Sequence, residues 1–196
     1  MTPQRISLKF FATPAAGSAL ELQPFVGLFH RFIQAGSLAG LLLDVADYAH
    51  VPDGPGVILI GHDVDYSIDL TGGRAGLLTT RKRCGDRALS EVFRDTARRA
   101  LLAIREVEAD ACHPLRFDPC ALELRLLDRL AAPNTDAAYQ AARREIEPVA
   151  AQIFGDGAVQ LTRVDADDPR KTLGIGIASS APRDVAEMVS RLDAIA

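Results

Sequence analysis

Aspartate and histidine crowd one stretch of the chain: Asp44, Asp47, His50, Asp53, His62, Asp63, Asp65 and Asp69. Gathered carboxylate oxygens suit a hard cation. Histidine beside carboxylate with an open position suits zinc or iron. Asp44, Asp47 and His50 are the expected ligands if a metal is held. Asp63 and Asp65 stand two apart, so on a strand they project from one face. With His62 and Arg74 they form the expected ligand-binding set. The competing account is structural: aspartates at strand ends cap turns, and a histidine among Ile60, Val64 and Tyr66 is more often a hydrogen-bonded core residue. The chain has neither an H-E-x-x-H nor a calcium-loop pattern.

A second candidate is Gly72-Gly73-Arg74-Ala75-Gly76, followed by Arg81, Lys82 and Arg83. Free amides and guanidinium groups suit an anion. Neither the phosphate-loop nor the dinucleotide pattern is present, so a glycine-rich turn before a solvated basic run is the favoured reading. Cys84 follows three basic residues, which would favour its thiolate, but no nucleophile elbow accompanies it. Cys112, His113 and Cys120 match no common zinc spacing, and buried small hydrophobes are the preferred role for the cysteines. No cofactor is implied.

The elements that must position these groups are legible as periodicities. Arg5 to Ala12 alternates, with Ile6, Leu8 and Phe10 on one face. Phe25, Leu28, Phe29 and Phe32 fall at helical spacing before Gly36. Leu41–Tyr48 and Val57–Leu70 read as two strands of a hairpin, joined by the turn-rich His50–Gly56. In the second of these, Ile58, Ile60, His62, Val64, Tyr66 and Ile68 share the expected buried face. A helix is predicted over Asp86–Glu108, with its arginines largely off the apolar stripe. A strand follows at Ala121–Leu130. Thr135–Phe154 is helical, capped by Asn134 or Thr135 and kinked or divided at Pro148. Two strands, Val159–Val164 and Leu173–Ser179, flank an acidic loop, and Pro182–Ile195 closes the chain as a helix.

The order predicts an α+β fold of two tandem β-α-β-β-α halves, about 1–110 and 115–196, in one domain spanning 1–196. They would share a mostly antiparallel or mixed six-stranded sheet with helices packed on one face, ferredoxin-like or related.

The composition agrees with a globular domain: 196 residues, 48% hydrophobic and 24% charged, with net charge −4 and. An acidic balance argues against a nucleic-acid partner. Apolar runs shorter than about 20 residues argue against a membrane span. An odd number of cysteines, three, and the absence of a signal peptide point to the cytoplasm.

Two stretches, LLLDVADYAHVPDGPGVILIGHDVDYSIDLTGGRAGLL and LDRLAAPNTDAAY, resemble a family of uncharacterised bacterial proteins. That resemblance implies a bacterial, cytoplasmic origin and carries over no site residue. The repeated element order is similar to that of the small-molecule-binding GyrI-like and haem-binding SOUL-like groups, on order alone. The expected function is binding of a small molecule, with a homodimer as the expected assembly. The alternatives are a metal-dependent, hydrolase-like enzyme using the Asp/His cluster, and a protein-interaction module.

Overall fold

The computed structural model describes residues 1–13, 20–110, 115–155, 159–180 and 183–194. Among them are eight strands and four α-helices: β1 (Ile6–Thr13), α1 (Gln23–Ala35), β2 (Leu42–Tyr48), β3 (Gly56–Gly61), β4 (Val64–Asp69), β5 (Gly76–Arg81), α2 (Leu89–Glu108), β6 (Arg116–Leu126), α3 (Asp136–Phe154), β7 (Val159–Val164), β8 (Leu173–Ser179) and α4 (Val185–Asp193). The strands form one sheet in the order β2-β3-β4-β5-β1-β6-β8-β7. Every neighbouring pair is antiparallel.

This corrects the six-stranded expectation. The second half runs β6-α3-β7-β8-α4, but the first runs β1-α1-β2-β3-β4-β5-α2. Two strands were hidden. Val57–Leu70 is a hairpin rather than one strand, reversing at His62–Asp63 with Leu59 opposite Tyr66. Gly76–Arg81 is a strand between β4 and β1, where a glycine turn and a solvated basic run were expected. Without equal halves, the likeness of element order to the two ligand-binding groups loses its basis.

The hairpin also moves His62. Residues across a two-residue turn face the same way, so Gly61 and Val64 share a face that a continuous strand would separate. The buried set becomes Val57, Leu59, Val64, Tyr66 and Ile68. Ile58 and Ile60 pass to the opposite face, half-buried. His62 is not a core histidine: it lies in the turn with its side chain 53% exposed.

Local chemistry explains the helices. α1 starts with Pro24 in its first turn and ends on Gly36 at φ 62°, a left-handed cap that glycine takes without strain. Thr135 caps α3, its side chain accepting from the Ala138 amide. Pro148 does not divide α3, which continues through it. Asn134 instead ties α3 to the β7–β8 loop, donating to the carbonyls of Asp165 (2.7 Å) and Asp168 (2.9 Å). Pro182, the expected first-turn residue of α4, lies outside the described residues.

The helices share one face. α1 packs on β2 and β3, α2 on β5 and β1, and α3 on β7 and β8, while α4 packs on α2 and α3. Cross-strand rows build the floor beneath them. One row runs Leu59, Tyr66, Thr79, Leu8, Leu124, Ile175, and the next Val57, Ile68, Leu77, Phe10, Leu122, Ile177. Apart from Thr79, these residues and the buried stripes of the helices form a single apolar cluster. Among the described residues no helix is long and apolar enough to cross a membrane.

Candidate functional site

The alternate residues of the same strands make a second face, over which no described helix packs. One row crosses the whole sheet: Ala46, Ile58, Ser67, Leu78, Lys9, Glu123, Gly176, Thr162. Beside it run Thr80, Ser7, Arg125, Gly174 and Val164. The open face is therefore aliphatic towards β2 and β3, charged at its centre on β1 and β6, and bare of side chains at Gly174 and Gly176 on β8.

The central polar groups are recessed. Lys9 is 8% exposed and Asp69 2%. They pair at 2.5 Å, and the Lys9 ammonium also donates to the Thr71 carbonyl. Asp69 accepts from the Thr71 hydroxyl and amide as well, so its oxygens are fully engaged, as a buried carboxylate requires. Lys9 reaches Asp69 by lying across Gly76, where an added Cβ would come within 3.0 Å of the lysine stem. Arg125 repeats the device in the other half. It bonds Glu123 at 2.5 Å and Asp165 at 2.9 Å. A Cβ on Gly174 would meet its guanidinium at 3.4 Å. In each case a long cation on a central strand crosses a glycine and reaches an aspartate near the end of a strand beyond. Arg74 stacks on Phe11 at 3.4 Å from the ring centroid, at the Asp69 end of this face.

The structure separates the ligand-binding set expected from sequence. His62 and Asp63 occupy the β3–β4 turn, and Asp65 begins β4 beside it. Arg74 lies past the opposite end of β4, so the length of that strand, roughly 15–20 Å, intervenes. His62 Nδ1 lies 3.0 Å from Asp63 Oδ1, and Arg83 Nη1 lies 2.9 Å from Nε2 and 3.3 Å from Nδ1. Asp65 accepts from the Lys82 ammonium at 2.8 Å and the Gly61 amide at 3.0 Å.

The expected metal ligands serve their own turns. Asp44 accepts from the Val45 amide and Asp47 from the Ala49 amide, while His50 stacks on Tyr48. Among the described residues no group of three or more His, Cys, Asp or Glu side chains is placed to hold a metal ion. Cys112 and His113, two of the zinc-type ligands considered, lie outside the described residues.

Three other groups are accounted for by their neighbours. The Gly72 and Gly73 amides, the anion cradle considered second to a plain turn, already bind a carboxylate: Asp53 accepts from them at 2.7 and 3.3 Å. Cys84 is buried, the role preferred for the cysteines, and burial pushes its thiol pKa up despite nearby Arg81 and Arg87, which sets aside the activated thiolate. Arginines of α2 bond beyond the helix. Arg98 bonds Asp193 of α4, and Arg99 bonds Asp95 and the Ala39 carbonyl.

No family model matches the chain, and no curated protein matches it. The functional reading therefore rests on the geometry above.

Proposed function

We propose that this protein binds a small amphiphilic molecule on the open face of its sheet. The observation that carries the reading is the makeup of that face. Half-buried Ile58, Ile60 and Leu78 offer an apolar bed. Glu123 and Arg125, with side chains 22% and 27% exposed, stand beside it, and glycines leave room on β8. An apolar surface with a few fixed polar groups is the usual composition of a small-molecule site. Cys84 and Cys120 are free thiols, which supports a reducing, cytoplasmic setting.

A thermal-shift screen of small molecules that join an aliphatic or aromatic body to one charged group tests this. The expected hit stabilises the protein and loses its effect in both Leu78→Gln and Arg125→Gln. A screen without hits, or hits indifferent to both substitutions, overturns the reading.

A second reading, a protein-interaction module, is favoured by one specific observation. The large hydrophobic residues exposed among the described residues are Leu41, Leu43, Tyr48, Val51 and Leu130, and four of these five lie on or beside the edge strand β2. Apolar side chains gathered at a sheet edge mark a contact surface, and a second copy is the simplest partner. Light scattering of the native chain against Leu43→Glu separates the two: a dimer that becomes a monomer supports the contact, and a monomer in both removes it.

A further inference from the structure

The densest gathering of cations lies where β5 leads into α2. Residues 81–99 hold seven Lys and Arg against three Asp and Glu, in a chain whose net charge is −4. Some of these cations are neutralised in place: Lys82 by Asp65 and Arg98 by Asp193. Arg81, Arg87 and Arg99 are not. All three converge on one carboxylate oxygen of Asp95, at 2.5, 4.0 and 3.2 Å.

One carboxylate cannot balance three guanidinium groups. Their anchoring is nevertheless firm. Arg81 Nε donates to the Arg83 carbonyl, Arg87 Nε to the Cys84 carbonyl and Arg99 Nη1 to the Ala39 carbonyl. The arginines are thus held side by side against their mutual repulsion. Arg87 is left with outer nitrogens that have no hydrogen-bonded acceptor among the described residues, and its side chain is 38% exposed. Two charges in excess and fixed forks of N–H donors suit a tetrahedral oxyanion, and the approach lies on the side of Arg87, since the Arg81 and Arg99 side chains are 12% and 25% exposed.

We propose that Arg81, Arg87 and Arg99 form a binding site for a phosphate group, free or carried as a phosphomonoester. Asp95 holds the three arginines in register and, as the one anion among them, weakens the affinity of the site. The site is independent of the open-face reading, because Arg81 and Asp95 belong to the helix side of the sheet.

Calorimetric titration of the full chain with inorganic phosphate, and separately with glycerol phosphate, at constant ionic strength tests this. Saturable binding is expected. Arg87→Gln should weaken it about tenfold or more, and Asp95→Asn should tighten it several-fold by removing the competing charge. Arg105→Gln, on the last turn of the same helix, should bind like the native chain. Tighter binding of glycerol phosphate identifies an ester as the ligand, and equal binding identifies free phosphate. Absence of saturable binding by either probe, or native affinity in Arg87→Gln, overturns the proposal. That second criterion stands even if Asp95→Asn does not fold.

Discussion

The two faces of the sheet use the same strands and solve burial in opposite ways. On the covered face, Leu8, Leu124 and Ile175 are each 0% exposed because helices lie over them. On the open face, Lys9 is nearly as inaccessible with no described helix above it. Its protection comes from within the layer, by lying flat across Gly76 towards Asp69. The covered face is held by area removed from water, which is non-directional and tolerant of shape. The open face is held by matched charges and glycine positions, which tolerate little. This difference makes the open face suited to specific recognition and the covered face suited to stability.

The largest expected effect tests the first half of that contrast. Leu124→Ala removes a fully buried side chain from the central row and should cost about 3–4 kcal/mol in urea unfolding. Leu78→Ala, on the open face, should cost less than half as much. Equal losses would mean that both faces are equally buried.

Lys9→Met comes next. It leaves the Asp69 carboxylate, 2% exposed, without its cation, and the expected loss is about 3 kcal/mol. Lys9→Met/Asp69→Asn should recover most of it, since removing both charges also removes the desolvation cost. A double variant as unstable as the single one would mean that packing of the lysine stem, rather than charge matching, holds the open face.

The hairpin that swaps residues between the faces can be broken at Gly61. A Cβ there would sit 2.2 Å from the Val64 carbonyl oxygen, so Gly61→Ala should destabilise by about 2 kcal/mol. If β3 and β4 were one continuous strand, the alanine would be nearly neutral.

A gain of stability is expected at Thr79. Its hydroxyl is buried between Tyr66 and Leu8 on the covered face, without a hydrogen-bond partner among the described residues. Thr79→Val keeps the shape and removes the orphaned group, and should stabilise by about 1 kcal/mol. On the open face the same change at Thr80, which is partly exposed, should be near neutral.

Much of the covered face is readable in the sequence, and the open face is not, for physical reasons. α1, α2 and α3 announce themselves because one side of each meets a continuous apolar floor, which forces a 3.6-residue period. β1 and β6 alternate clearly. The β3–β4 turn is hidden because His62–Asp63 has neither glycine nor proline at its centre. Val57 and Leu59 are as apolar as Ile58 and Ile60, so no parity marks the reversal. β5 is short and follows a glycine run, which reads as a loop until it is seen paired on both edges. The polar set Ser7, Lys9, Glu123 and Arg125 is visible as the outward half of two alternating strands. Its recess is not, because it depends on Gly76 and Gly174, and only strand pairing brings those glycines beneath the cations. The aspartate cluster misleads for a related reason: Asp44, Asp47 and Asp53 are consumed by backbone amides that sequence spacing cannot assign.

The smallest expected effect concerns the joint between helices over the covered face. Arg98 of α2 bonds Asp193 of α4 and holds that carboxyl below its usual value of 3.8. A carboxyl whose pKa is lowered by folding contributes stability above its unfolded value, and loses it as the pH falls through the folded one. Arg98→Gln should therefore lower the urea midpoint slightly at about pH 6, and the difference should shrink as the pH falls through the folded value and Asp193 becomes protonated and so loses its charge. Both groups are exposed, so the difference at about pH 6 should fade in about 1 M salt. A deficit that persists at low pH and in salt would show that Arg98 supports the helix layer through its aliphatic stem. In that case even the charged rim of the covered face would be held by contact area, and charge matching would belong to the open face alone.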